Sequence, residues 1–231
     1  MSIAHALHDV RARIAAAALA AGREPATVKL VAVSKTQPAA AVREAYAEGQ
    51  RDFGENYVQE LLQKAEELRD LSDLRWHVIG HLQRNKARHV VALASLVHTV
   101  DTPELALELA KRFDGVVTGR RLPVLVEVSI AGEAQKHGAA PADLAELLSR
   151  IDGLPALELR GLMCVPPATE DPAGALPFFQ ALARLRDLHG GAQRLPELSM
   201  GMTHDLDQAV AAGATLVRVG TAIFGTRPQK A

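Results

Sequence analysis

Two cations stand where apolar strand-like runs end. Lys35 follows Leu30–Val33 in "KLVAVSKTQP", and Arg218 lies within "TLVRVG". Burying such charges is costly unless an anion or a carboxylate meets them. Two loops near Arg218 are rich in small and hydroxylated residues. "LSMGMTHD" offers Ser199, Gly201 and Thr203, and "RVGTAIFG" offers Gly220 and Thr221. Backbone N–H groups and hydroxyls in loops of this kind cradle phosphate, although the same residues are ordinary turn formers. A lysine amine beside a phosphate cradle is suited to a Schiff base with a phosphorylated aldehyde. The plainer alternatives are a solvated loop lysine and an Arg218–Glu127 ion pair.

These residues need a scaffold that brings both ends of the chain together. Strand-like runs cover 29–34, 51–54, 75–80, 96–101, 122–130, 157–165, 197–200 and 215–220. Helix-like stretches cover 38–48, 57–69, 103–113, 141–151, 172–189 and 204–212. Several open on proline, which suits a first turn whose N–H has no partner. Gly49 and Gly213 read as helix stops. Strands alternating with helices predict a parallel α/β protein, and eight strands predict a single (β/α)8 TIM barrel over 1–231. The doubly wound alternative usually carries a Gly-x-Gly-x-x-Gly loop after its first strand, where this chain has Ser34-Lys35-Thr36. Ile3, Leu7, Val10 and Ile14 recur at helical spacing, predicting an extra N-terminal helix. No C-terminal β domain is expected.

Side-chain alternation assigns the faces. Val124, Val126, Val128 and Ile130 should meet the helices, leaving Leu125, Glu127 and Ser129 inside. Val217 and Val219 likewise leave Leu216 and Arg218 inside, and Lys35 shares a face with Val31 and Val33. Barrel closure makes the first and last strands neighbours, so Lys35 and Arg218 should meet at the C-terminal mouth, where this fold carries its sites. Pyridoxal 5′-phosphate (PLP) fits a lysine, a phosphate cradle and an arginine facing the pyridine nitrogen. A permanently charged arginine there would leave that nitrogen unprotonated and the ring a weak electron sink.

The segments "VAVSKTQP", "FGENYVQE", "WHVIGHLQRNK", "LRGLMCVPP" and "LSMGMTHDLDQAVAAGATLVRVGTAIFG" resemble, in order over nearly the whole chain, the pyridoxal phosphate homeostasis (YggS-like) family. The resemblance implies a barrel like the alanine racemase N-terminal domain, with PLP on Lys35. It implies Ser199, Gly220 and Thr221 around the phosphate, with Thr203 as an addition, and Arg218 at the pyridine nitrogen. Asn56 and Met163 match positions lining the cofactor, and His77 lies near the same mouth. The implied role is to bind, buffer or deliver the cofactor, with effects on amino-acid and keto-acid balance and no established catalysis. The chain departs from many relatives at Gln37, where Lys is common, and at Thr203 and Cys164, where Ser and Ala are frequent.

Formal net charge is −1, which argues against a dedicated nucleic-acid binder. No apolar stretch is long enough to span a membrane, and one cysteine fits a reducing compartment, so a cytoplasmic location is expected. The histidines show no close ligand spacing, so no metal is expected. His77, His81 and His98 are candidates for the mouth. Cys164 should be a core thiol and Trp76 should pack under a helix. The basic run His81–His89 reads as a solvated helix start or a partner surface. The expected partners are PLP and PLP-dependent apoenzymes, and the expected state is a monomer. The rival functions are a racemase or decarboxylase of the alanine racemase type and a Schiff-base aldolase. A two-base racemase needs a second acid/base, and Tyr57 is the candidate.

Overall fold

A computed structural model describes residues 2–114, 119–132 and 137–225. Helix α1 (Ile3–Ala20) precedes β1 (Lys29–Val33), α2 (Ala39–Ala47), β2 (Asp52–Glu55) and α3 (Val58–Glu67). Then come β3 (Arg75–Val78), α4 (Ala87–Val90), β4 (Ala94–Val100), α5 (Pro103–Asp114) and β5 (Leu122–Glu127). The chain continues through α6 (Leu144–Asp152), β6 (Leu157–Met163), α7 (Leu176–Leu188) and the short α8 (Gly191–Arg194). It ends with β7 (Glu197–Ser199), α9 (Leu206–Ala211), β8 (Leu216–Val219) and α10 (Thr221–Phe224). All eight strands are parallel and close into a barrel in sequence order, with β1 paired to β8.

The alternation seen in the sequence is the alternation of the barrel. Val124, Val126, Val217, Val219, Trp76 and Cys164 belong to the large apolar layer between strands and helices. Val31, Leu96, Leu125, Met163 and Leu216 form a separate cluster, the apolar filling of the barrel interior. Arg218 lies inside, in register with Val31 of β1.

Several expected segments are trimmed at their ends, while β4 starts two residues early, at Ala94, and β2 runs one residue further, to Glu55. β5 stops at Glu127 rather than Ile130, because Ile130 N–H turns back onto the carbonyl of Val128. Ser34 and Gly220 likewise leave the ladder as the mouth loops begin. α6 opens at Leu144, three residues after Pro141, which sits in a turn. Pro172 opens a 3-10 turn, Pro172–Ala175, ahead of α7. Gly49 and Gly213 both take positive φ at helix ends, as helix stops do.

Candidate functional site

At the C-terminal mouth a cavity of about 400 Å³ is lined by Lys35, Asn56, Thr203, Arg218, Gly220 and Thr221. Six of the nine residues singled out in the sequence therefore meet on one surface. Two glycines let the walls approach. A Cβ on Gly80 would lie 2.4 Å from the carbonyl oxygen of Asn56. Gly201 takes φ +90°, and its Cβ would meet that of Ala209 at 2.4 Å. Any side chain at either position would push a mouth loop outward.

Lys35 is held by a buried polar cluster beneath it. Ser34 Oγ donates to Glu55 Oε1 at 2.7 Å. Lys64 Nζ donates to the same Oε1 and to the carbonyl of Ser34, both at 2.7 Å. Glu60 accepts the N–H of Thr36 at 2.6 Å, and Thr36 has φ +64°, unusual for a residue with a Cβ. The segment after β1 is thus fixed from below by β2 and α3, which aims Lys35 into the cavity. Burial raises the Glu55 carboxyl, opposed by Lys64 and Ser34.

Arg218 is 4% exposed. Its guanidinium donates to Ser199 Oγ at 2.6 Å and to the Cys164 carbonyl at 2.9 Å. Among the described residues no carboxylate forms an ion pair with it, so the Arg218–Glu127 pair does not form. Glu127 instead leaves Oε2 buried with no hydrogen-bond partner among the described residues. Burial, together with the charge of Asp101, pushes its carboxyl up to about 7, against the opposing pull of Arg218. Burial lowers the pKa of Arg218, but a guanidinium stays charged.

Behind Arg218 a hydrogen-bonded chain crosses the barrel. Ser199 Oγ lies 2.8 Å from His98 Nδ1, and His98 Nε2 lies 2.9 Å from His77 Nδ1. His77 Nε2 lies 3.0 Å from Asp52 Oδ1, and Arg75 completes the run with two bonds to the Asp52 carboxylate. Burial holds His98 well below its ordinary value, helped by His77 and Arg218, so that ring is neutral. Burial alone would raise Asp52, but hydrogen bonds from Arg75 and His77 outweigh it and hold the carboxyl well below the usual range. Arg218 only donates and the ionised Asp52 only accepts. With one proton per ring, each donor in the chain then points from Arg218 towards Asp52.

Three sequence candidates do not line the cavity, and two of them belong to this hydrogen-bonded chain. Ser199 sits behind Arg218, its hydroxyl engaged by Arg218 and His98, and does not line the cavity. His77 lies deeper still, and Met163 packs in the barrel interior. His98, expected at the mouth, is fully buried. Burial pushes the Cys164 thiol up to about 12, as suits a core cysteine. Residues that sequence reasoning passed over line the cavity as well, notably His204, Met202 and Val165. Tyr57 does not line it and is exposed, and Tyr46 bonds to Asp73. Lys136 and Lys230 fall outside the described residues.

The loops after β7 and β8 have the makings of an anion cradle. The N–H groups of Thr203, His204 and Thr221 make no hydrogen bond among the described residues. Asp205 braces the first loop by accepting from Met202 N–H at 2.6 Å. Arg13 of α1 braces it from outside, bonding the Thr203 carbonyl at 2.7 Å and the Asp207 carboxylate.

An eight-stranded parallel barrel with a lysine after β1 and an arginine on β8 defines a class. The alanine racemase N-terminal domain family matches residues 6–228. The chain is 49% identical over 227 residues to the pyridoxal phosphate homeostasis protein of Pseudomonas aeruginosa, covering 98% of this chain and 96% of that protein. The Escherichia coli protein of the same name is 41% identical over 228 residues, covering 97% of each. The chain belongs to the pyridoxal phosphate homeostasis protein family. PipY of Synechococcus elongatus, solved with PLP bound, aligns at TM-score 0.82 with 41% identity over 97% of this chain and 100% of that one. Alanine racemase of Corynebacterium glutamicum, 18% identical at TM-score 0.67, shares the fold, with 98% of this chain covering 60% of the enzyme.

Proposed function

We propose that this protein holds PLP at the C-terminal mouth and stores or delivers it rather than turning over a substrate. The observation that carries the reading is a buried guanidinium, without a carboxylate ion pair among the described residues, lining the same cavity as Lys35. The other donors fit the cofactor. Lys35 is the amine for its aldehyde. The amides of Thr203, His204 and Thr221, unbonded among the described residues, and two threonine hydroxyls suit its phosphate, and Asn56 Oδ1 is buried with no partner among those residues. A volume of about 400 Å³ suits a small cofactor. When bound, PLP supplies an electron-withdrawing ring. Arg218 is a permanent cation and supplies no proton to the ring nitrogen, which disfavours carbanion chemistry. No tyrosine lines the cavity to serve as a second acid/base, which argues against a two-base racemase. The finer readings are a monomer in the cytoplasm, with PLP-dependent apoenzymes as recipients. Among the described residues no helix is long and apolar enough to cross a membrane.

The test is the visible spectrum of protein loaded with PLP and dialysed, beside Lys35→Ala. The expected result is a band that borohydride bleaches in the native chain and that the variant lacks. A borohydride-sensitive band kept by Lys35→Ala moves the attachment elsewhere, to Lys86 or Lys136. No band in either protein overturns the cofactor reading and returns the aldolase.

A further inference from the structure

Three residues from consecutive strand ends converge on the rim of the same mouth. His81 follows β3, Asp101 follows β4, and His137 follows β5. One ligand-type atom from each lies within 4.8 Å of the others. Their separations of 20 and 36 residues explain why no ligand spacing is visible in the sequence.

The cluster also answers an electrostatic deficit. The Asp101 side chain is 11% exposed, and among the described residues its carboxylate has one partner within 4 Å, His81 Nδ1 at 3.7 Å. Glu127 lies close enough for the two carboxylates to feel each other, and its Oε2 has no partner. Two poorly compensated acids under a rim of imidazoles form a place where a cation is missing from the balance. The His81 and His137 rings stack at 3.6 Å, 8° from parallel.

We infer that His81, Asp101 and His137 form a site for an imidazole-preferring divalent transition cation such as Zn²⁺ or Co²⁺. Two imidazoles and one carboxylate leave a fourth position open to water or an anionic ligand. Tetrahedral ligation with bonds of about 2 Å requires donor atoms roughly 3.3 Å apart. Both histidines are exposed, so side-chain rotation can reorient the rings and draw the donors together by the up to about 1.5 Å this needs.

The experiment uses tag-free full-length protein stripped with a chelator. Zn²⁺ is titrated calorimetrically, and Co²⁺ is added to read its visible absorption. The expected result is one equivalent bound, with the Co²⁺ spectrum of a four-coordinate N/O site. Affinity should fall at least about tenfold in each of His81→Gln, Asp101→Asn and His137→Gln. Should Asp101→Asn fold poorly, the two exposed histidine variants decide alone. Lys35→Ala should keep the site, which separates this inference from the cofactor reading. Binding that survives all the folded substitutions, or no binding at micromolar metal, overturns it.

Discussion

The two mouths of the barrel hold cavities of nearly the same volume, about 410 Å³ at the N-terminal end and about 400 Å³ at the C-terminal end. Both are lined by cations. At the N-terminal mouth these are Arg11, Lys29, Arg51 and Arg75, and three of the four meet a carboxylate. Arg75 meets Asp52, Arg51 meets Asp73, Lys29 meets Glu197, and Arg11 meets the Glu48 carbonyl. At the C-terminal mouth Arg218 has no carboxylate among the described residues. Volume does not separate the mouths; charge compensation does. A cation already paired with a carboxylate of its own chain has little to offer a ligand, whereas a buried one held only by a hydroxyl and a carbonyl keeps a charge that an arriving anion can neutralise.

The sharpest way to break this contrast is through the ion pairs themselves. Lys64 is buried with Glu55, at 6% and 1% side-chain exposure, under the C-terminal mouth. Arg51 and Asp73 are 30% and 56% exposed at the other. Lys64→Met should destabilise the fold by about 3–5 kcal/mol, because it strands a buried carboxylate. It should also release the Lys35 segment and weaken cofactor retention. Arg51→Ala should cost at most about 1 kcal/mol and leave retention unchanged. Denaturant melts and dialysis of loaded protein read both effects, and equal costs at the two mouths would end the distinction.

Arg218→Leu should separate stability from binding. Removing a charge-assisted hydrogen bond costs about 1.5–3 kcal/mol of binding, or roughly 10- to 150-fold in PLP affinity. The unloaded fold should be no less stable, because a buried charge without a carboxylate partner is removed. A large drop in the melting temperature of unloaded protein would mean that Arg218 is structural.

Glu127 should leave a mark on stability between about pH 4.5 and 7. Its folded pKa is raised from 4.5 to about 7. In that window the folded state binds the proton and the unfolded state has lost it, so stability falls as pH rises, by up to about 3 kcal/mol. Glu127→Gln should flatten that slope in melts run from pH 5 to 8. Asp52, held low, has the opposite sign. Its contribution is fully present above the ordinary carboxylate range and is lost only in strong acid.

Much of this mouth was legible in the sequence because it depends on local rules. Strand parity set Arg218, Leu125 and Glu127 inward, and closure of an eight-stranded barrel set β1 beside β8. The flanking glycines and threonines marked the loops. The relay behind Arg218 was not legible. Asp52, His77, His98 and Ser199 come from four strands, 21 to 101 residues apart at each link, and only the register of the closed barrel joins them. Ser199 therefore read as a loop hydroxyl, and its bond to Arg218 could not be seen in the sequence. Lys64 was hidden for a related reason. It lies on a polar-looking helix, and nothing local shows that its amine reaches beneath the sheet edge to Glu55.

Arg13 tests the contrast most finely, because it acts on the C-terminal mouth from outside the barrel. It bonds the Thr203 carbonyl and Asp207 but does not itself line the cavity. Its pair with Asp207 is exposed on both sides, so Arg13→Ala should change stability by less than about 1 kcal/mol. If the loop amides hold the phosphate, loosening the loop should speed cofactor release two- to fivefold, on the order of 0.5–1 kcal/mol. No change would mean that Asp205 alone fixes the loop. A loss as large as that of Arg218→Leu would mean that amide placement, rather than the uncompensated guanidinium, is what distinguishes the two mouths.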